Sequence, residues 1–225
     1  MNKLFKIKIC ILAALICEGI GGLACFAYED EGFQFWTGPS VSFDINKDWK
    51  CTFDEEFRLG DDGGNLYYHH SDLGFVYKSL ADWIDLGVNY RQVFEKDNAG
   101  VWRQENRPHL NITLKGKLFE LGLSNRARFE YRDRENKDDL WRYRNKVTVK
   151  LPLELTKLNL KPYLADEVFI PLNDDNITRN RFYAGVTFKL SENMTGEVFY
   201  LWQASRASED WKDIDVLGVK LKFYF

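Results

Sequence analysis

An alternation of apolar and polar residues at every second position runs through most of this chain, and it constrains the fold more than any other feature. The clearest stretches are 121–132 and 141–151, where apolar and aromatic residues alternate with charged and polar ones. A period of two places the apolar side chains on one face of a β-strand and the polar side chains on the other. No comparable helical period is present in the sequence, which therefore predicts an all-β chain.

Eleven segments follow this period, and turn-forming stretches separate them. The segments are 33–43, 49–59, 73–78, 84–91, 110–118, 121–132, 141–151, 158–167, 181–190, 195–203 and 217–225. The predicted tight turns are 46–48, 79–82, 116–120, 152–158 and 191–193, and the predicted longer loops are 60–65, 95–106, 133–139, 171–178 and 205–213. This alternation of short and long connections is typical of a transmembrane antiparallel up-and-down β-barrel, whose tight turns lie on the periplasmic side.

The number of strands is predicted less directly. Bacterial single-chain barrels normally contain an even number of strands, so within a range of about 10–12 we expect ten or twelve rather than eleven. Segment 33–43 is the one that we expect to be miscounted. Pro39 lies within it, and proline in sheets is confined to edges and bulges.

Three features favour a barrel with apolar side chains facing lipid over a soluble barrel with the opposite arrangement. Long charged side chains of both signs occupy the polar face of every predicted strand, and the chain ends within a strand at Phe225. Aromatic residues recur near strand ends, as expected at the two interfaces of a membrane; they are Trp49, Tyr67, Trp83, Tyr90, Tyr131, Trp141, Trp202 and Tyr224. We therefore expect a bacterial outer-membrane protein in contact with outer-membrane lipid.

The last strand carries a more specific pattern. Apolar residues occupy alternate positions up to the end of the chain, namely Leu217, Val219, Leu221, Phe223 and Phe225. This ending resembles the C-terminal strand signature of bacterial outer-membrane proteins, although Gly218 lies two residues earlier than the glycine of the fuller signature. The resemblance implies recognition by the barrel-assembly machinery during biogenesis. An ordinary soluble edge strand that ends in phenylalanine is the alternative.

A further set of short motifs spans nearly the whole chain after residue 27. The motifs are Glu55-Glu56, Tyr67-Tyr68-His69 followed by Asp72-Leu73-Gly74, Arg107-Pro108, Glu135-Asn136-Lys137-Asp138-Asp139, Trp141-Arg142-Tyr143-Arg144-Asn145, Asp166-Glu167 and Asn180-Arg181. Together they resemble a family of outer-membrane barrels that is catalogued as a domain of unknown function. The resemblance implies a fold and a location, and it supplies no catalytic residues.

Residues 1–27 have the order of a secretory signal peptide, with three lysines, an apolar stretch at 9–16 and small residues at the end. We expect this segment to be removed and residues 28–225 to form the barrel. A permanent anchor helix and a lipoprotein processed at Cys25 are the alternatives. Removal would leave Cys51 as the only cysteine, which excludes an intramolecular disulfide. It would also change the net charge from −3 to −5, and a negative chain disfavours nucleic acid as a partner.

Charged residues at alternate positions predict a charge cluster in the lumen. Its members are Arg126, Arg128, Glu130, Arg132, Arg142, Arg144, Lys146, Asp54, Glu56 and Glu167. Antiparallel pairing about Asn136 predicts three pairs, which are Glu130 with Arg142, Arg128 with Arg144, and Arg126 with Lys146. Because two of these pairs bring like charges together, acids from other strands, Glu197 among them, or a bound anion must offset the repulsion.

The predicted function is that of a structural barrel or a narrow passive pore for small charged solutes. A barrel of this size has little room beyond its own side chains, which favours a lumen filled by salt-bridged residues. A basic wall facing an acidic wall would instead favour the passage of small charged or zwitterionic solutes. No residue pattern indicates a cofactor.

A lipid hydrolase is the alternative function. His69 and Ser71 share one strand face, and their His-x-Ser spacing is similar to that of outer-membrane phospholipase A, which would imply a serine nucleophile with a histidine base. That family continues with Asn-Gly and supplies an orienting Asn further along, whereas this chain has Asp72-Leu73 and then Trp83. We expect no metal site, because the adjacent His69 and His70 point to opposite faces and His109 is isolated.

Overall fold

The computed structural model describes residues 32–153, 159–174, 176–207 and 210–225, and β-strands are the regular structure of these residues. Within the described ranges, no helix is long and apolar enough to cross a membrane. The predicted signal peptide, 1–27, and the alternative processing site at Cys25 lie outside these ranges.

The described residues form eleven strands. In chain order these are β1 (Gly32–Asp44), β2 (Trp49–Gly60), β3 (Asn65–Ala81), β4 (Ile84–Lys96), β5 (Trp102–Leu118), β6 (Leu121–Arg134), β7 (Leu140–Lys150), β8 (Lys161–Pro171), β9 (Arg179–Ser191), β10 (Met194–Ala207) and β11 (Asp210–Tyr224). A strand therefore lies in each of the eleven segments predicted from the period of two, although residue 158, the start of segment 158–167, lies outside the described residues. Several strands are longer than predicted, and most of the predicted loop 95–106 belongs to β4 and β5.

The strands close into a single barrel in which each strand pairs antiparallel with the next. β1 and β11 close the barrel as a parallel pair, with Thr37 opposite Val219. The expectation of ten or twelve strands is therefore wrong for the described part of the chain, and the antiparallel arrangement does not extend to the closing pair. An odd number of strands makes the first and last strands run in the same direction, so that only a parallel ladder can join them.

Pro39 is accommodated within β1 rather than excluding it from the barrel. The antiparallel ladder between β1 and β2 is interrupted at Gly38 and Pro39, between the pairs formed by Thr37 and Ser40. A Cβ atom at position 38 would approach the backbone oxygen of Glu55 to 1.9 Å. Glycine at this position lets β2 pass close to β1 at the interruption, and proline, which lacks a backbone N–H, lies at the same point.

The predicted alternation of connection lengths holds only in part. Tight turns at 82–83, 119–120 and 192–193 lie at one end of the barrel, which we call the short-turn end, and the opposite end is the long-loop end. Most of the turn predicted at 152–158 lies outside the described residues. Described residues of the predicted loop 205–213 belong to β10 and β11, so that prediction was wrong.

The two faces of the barrel wall have opposite chemistry over β3 to β5. Phe75, Val88 and Leu110 are register partners on the outer face, and between 45 and 61% of each residue is exposed. On the inner face of the same strands, Asp72 and Arg107 are 4% and 6% exposed. Apolar side chains thus cover the outside while charged side chains fill the inside, which is the arrangement that a surrounding lipid phase stabilises.

The inner face is not polar on every strand, contrary to the prediction. An apolar cluster fills the lumen side of β8 to β11 and β1; its members are Trp36, Tyr163, Ala165, Tyr183, Phe199, Leu201, Ile214 and Val216. Two glycines make room for the largest rings, because a Cβ atom at Gly218 would lie 2.0 Å from the Phe199 ring and one at Gly185 would lie 2.7 Å from Tyr163. The interior therefore has a charged side and an apolar side.

The parallel closure predicts a specific disulfide. In a Cys51→Ala background, the pair Thr37→Cys and Val219→Cys should oxidise to an intramolecular bridge, because the two residues are partners on strands about 4.8 Å apart and a disulfide spans that separation. Gel mobility with and without reductant measures the bridge. The control pair Thr37→Cys and Asp213→Cys, well out of register, should stay reduced. Equal bridging in the two variants would contradict parallel pairing.

Candidate functional site

The charge cluster of β6 and β7 has the predicted register. Glu130 lies opposite Arg142, Arg128 opposite Arg144, and Arg126 opposite Lys146. Two carboxylates in the lumen, those of Glu130 and Glu167, bond to the arginines of this cluster. Glu130 accepts hydrogen bonds from Arg142 Nε at 2.5 Å and from Arg144 Nη1 at 3.4 Å. Glu167 on β8 accepts from Arg144 Nη2 at 2.8 Å and from Arg126 Nη2 at 3.1 Å.

Arg132, also in the predicted cluster, pairs with a carboxylate that the sequence analysis did not single out. Glu105 accepts two hydrogen bonds from Arg132, at 2.5 and 2.8 Å, and two from Arg107, at 2.5 and 2.9 Å. Such forked pairs are among the strongest hydrogen bonds in proteins. Glu105 was missed because 95–106 was predicted to be a loop, although Glu105, Arg107 and His109 keep the period of two.

The predicted acids on β2 also face the lumen and have partners there. Glu56 accepts from Arg58 Nη2 at 2.7 Å and lies 2.7 Å from Lys220 Nζ. Asp54 Oδ1 lies 3.4 Å from His70 Nε2, and His70 Nδ1 lies 3.0 Å from the Tyr68 hydroxyl. The structure therefore brings His70 to an acid on the neighbouring strand, a pairing that the isolated strand pattern did not indicate.

Stacked arginine and aromatic side chains cross the middle of the lumen. The Arg58 guanidinium carbon lies 3.7 Å from the centre of the Trp36 ring and 4.0 Å from that of Tyr68. On the other side, Arg181 lies 4.8 Å from Trp36 and 4.9 Å from Phe169. Guanidinium groups above aromatic rings are attracted by the electron-rich ring faces, more strongly where water is excluded.

These contacts define a sealing layer, whose members are Trp36, Arg58, Tyr68, Arg107, Glu130, Arg142, Phe169 and Arg181. Each member is between 1 and 9% exposed. Arg142 joins the ion pairs to the aromatic stack, because its guanidinium bonds to Glu130 and lies 5.2 Å from the Phe169 ring. The lumen is therefore filled with side chains at this level, as expected for a small barrel.

Two cavities lie on opposite sides of the sealing layer and have no lining residue in common. The mouth cavity, of about 610 Å³, lies at the long-loop end and has charged residues of both signs in its lining. In its rim, the Asp97 carboxylate accepts hydrogen bonds from the Val101 backbone, the Arg103 side chain and the Ala99 backbone, which hold its pKa below the ordinary value. The lumen cavity, of about 360 Å³, lies towards the short-turn end.

His69 and Ser71 lie on the outer face of β3, as the sequence predicts. The His69 ring stacks on Phe94 with 4.9 Å between ring centres, and Phe94 is its register partner on β4. Ser71 interacts with the Glu55 carboxylate of the neighbouring β2 strand. The His69 ring is therefore packed between the aromatic rings of Phe57 and Phe94. Phe94 occupies the neighbouring position on β4, and its side chain cannot orient a catalytic base by hydrogen bonding.

The described residues contain no group of three or more His, Cys, Asp or Glu side chains arranged to hold a metal ion. The His109 ring illustrates the reason. Its Nδ1 lies 3.1 Å from the Arg107 carbonyl oxygen and its Nε2 lies 3.6 Å from Asp72, whose carboxylate already bonds to Arg91 at 2.8 Å. Arginines occupy the carboxylate oxygens that a metal ion would need.

The closed strand order, the apolar outer surface and the charged lumen define a β-barrel of the outer-membrane type. The family model described as "Protein of unknown function (DUF2490)" matches residues 33–213, and the chain therefore belongs to that family. This result confirms the resemblance found in the sequence motifs. None of the curated proteins matches the chain.

Among solved structures, the chain is similar to LpxR from Salmonella typhimurium. The TM-score is 0.54 at 10% sequence identity, and the match covers 83% of this chain and 87% of that one. A likeness at this identity establishes a shared fold, that of an outer-membrane β-barrel.

Breaking an ion pair of the sealing layer should be costly. Glu130→Gln should lower the free energy of unfolding in detergent by about 3–5 kcal/mol, because it leaves Arg142 buried without its carboxylate. The matched variant Asp133→Asn, at an exposed outer position where Asp133 accepts a hydrogen bond from Asn106 at 3.1 Å, should cost about 1 kcal/mol or less. Urea titration monitored by circular dichroism measures both. Equal losses would show that the ion pair has no structural role.

Proposed function

We propose that this protein is an outer-membrane β-barrel of the bacterial cell envelope that serves a structural role and does not conduct solutes freely. Its apolar outer face, its charged interior and its likeness to an outer-membrane barrel support the location. The observation that carries the functional part is the sealing layer, which fills the lumen between the two cavities. The barrel-assembly machinery is the proposed partner during biogenesis, on the basis of the C-terminal strand.

The narrow-pore form of the hypothesis requires the sealing layer to open. Arg58 would have to leave both aromatic rings and its hydrogen bonds to Glu56, at 2.9 and 2.7 Å. Each desolvated cation–π contact is worth about 2 kcal/mol, and a charged hydrogen bond about 1.5–3 kcal/mol, so the open state is rare. Passage of small charged solutes is therefore slow or absent in the unmodified barrel.

Lipid hydrolysis through His69 and Ser71 is the second candidate. The favourable observation is that the two side chains occupy alternate positions on the outer face of one strand. Against it, Phe94 lies beside His69 and the Ser71 side chain interacts with Glu55 rather than with an oriented base. A hydrolase would release fatty acid from phospholipid vesicles in an activity that Ser71→Ala abolishes and Ser79→Ala retains.

Conductance in planar bilayers tests the sealed lumen. The unmodified barrel should give no channel events above background, whereas the double variant Trp36→Ala with Arg58→Ala should give discrete events, because it removes two bulky members of the sealing layer. Lys78→Ala, which removes an exposed ion pair with Asp44 at the short-turn end, is the matched control and should stay silent.

Two results would contradict the proposal. Frequent openings of the unmodified barrel would make it a pore, and silence of a folded double variant would place the barrier elsewhere. Heat-modifiable gel mobility establishes that each variant is folded before recording.

A further inference from the structure

The lumen cavity is surrounded by more positive than negative charge. Nine arginine and lysine side chains and five carboxylates are among its described lining residues. Four of the cations, Arg126, Arg128, Arg144 and Lys146, form one wall on β6 and β7. A buried cation without a counter-charge is costly, so such a surplus requires an anion or leaves the wall strained by repulsion.

Arg128 is the clearest uncompensated cation. It is 5% exposed, and its Nε donates a hydrogen bond to the neutral Asn111 side chain at 2.8 Å. Among the described residues, no carboxylate lies within 4 Å of its guanidinium. Its register partner is another cation, Arg144. The neutral amide holds the Arg128 side chain in place without neutralising it.

The other arginines of this wall rely mainly on one carboxylate, although Arg144 also lies 3.4 Å from Glu130 in the sealing layer. Glu167 accepts hydrogen bonds from both Arg126 and Arg144, and the Tyr183 hydroxyl donates a third at 3.2 Å. The Nε atoms of Arg126 and Arg144 are buried, and neither has an acceptor in the described structure. Lys146 Nζ lies 3.6 Å above the Tyr183 ring and makes no ion pair within the described ranges. On this wall, two buried N–H donors therefore lack an acceptor, and two cations, Arg128 and Lys146, lack a carboxylate partner among the described residues.

The opposite side of the same cavity is aromatic. Trp36, Tyr163, Tyr183 and Phe199 belong both to the apolar cluster and to the cavity lining. Ser40, Thr52 and Lys222 extend the lining to within a few residues of the short-turn end, whereas Arg58 closes the cavity at the sealing layer. The cavity therefore has a basic wall, an aromatic wall and an approach from the short-turn end.

We propose that the lumen cavity is a binding site for an organic anion that combines a phosphate or carboxylate group with an apolar body. The planar arginine fork matches the oxygens of both groups, and Arg128 and Lys146, which have no carboxylate within 4 Å among the described residues, supply positive charge. The aromatic wall receives the apolar body. This site goes beyond the proposed structural role and is reached from one side without opening the sealing layer.

Calorimetric titration of the purified barrel in a zwitterionic detergent tests the site. Phenyl phosphate should bind at least about tenfold more tightly than inorganic phosphate, which lacks the apolar body. Benzoate should bind as well, and the order of phenyl phosphate and benzoate separates a phosphate site from a carboxylate site. Benzylamine, which has the same body and a positive charge, should not bind. Binding of inorganic phosphate alone, or equal binding of benzylamine, would overturn the proposal.

Arg128→Gln provides the decisive variant. It should weaken phenyl phosphate binding by about tenfold or more while unfolding at the same or a higher urea concentration than the unmodified barrel without ligand, because it removes an unpaired buried charge. Lys115→Gln, whose ammonium pairs with Asp85 away from the cavity, should leave binding within about twofold.

The combined readout separates binding from folding. A merely structural Arg128 would lose stability on substitution, and the affinity of the folded fraction would stay unchanged. That pair of results would overturn the proposal, as would the absence of any heat with both anions. The unmodified barrel should also unfold at a higher urea concentration with phenyl phosphate than without it.

Discussion

Pairing of buried charge inside the barrel is the interaction on which the rest of this structure depends. A wall with its apolar side chains outside must place its charged side chains in a confined lumen, where each unpaired ion is costly. Glu105, Glu130 and Glu167 each bond to two arginines, so that the acids of three different strands tie the inner face together. The filled centre of the barrel follows from these contacts and from the arginine–aromatic stacks beside them.

The same pairing explains how the interior divides into sealed and open parts. Where a carboxylate and an aromatic ring both contact an arginine, as around Arg142, side chains fill the lumen. Where cations outnumber acids, as around Arg128, the lumen retains a cavity. Charge balance therefore differs between the sealing layer and the lumen cavity.

The sequence predicted what depends on local periodicity. The strands, their outward and inward faces, and the register of Glu130 with Arg142 all follow from a period of two about a short loop. Contacts between strands distant in sequence were not predictable in this way. Arg181 meets Trp36, and Lys220 meets Glu56, only because the barrel closes. On β11, Ile214 and Val216 face inward, whereas Leu217 and Val219 face outward. Apolar residues therefore lie on both faces of this strand, and the alternation of apolar and polar residues does not show which face is the inner one. The parallel pairing of β1 with β11 could be predicted only from the exact number of strands, because an odd number makes the first and last strands run in the same direction.

Fluorescence quenching by brominated phospholipids tests most directly whether apolar side chains face lipid and charged ones line the lumen. Two variants, each with a single tryptophan and the other native tryptophans replaced by phenylalanine, would be reconstituted in vesicles. One retains Trp36, which is 2% exposed in the lumen, and the other carries Val88→Trp at an outer position that is 61% exposed. The account predicts strong quenching at position 88 and little at position 36. Equal quenching, or stronger quenching of Trp36, would contradict it.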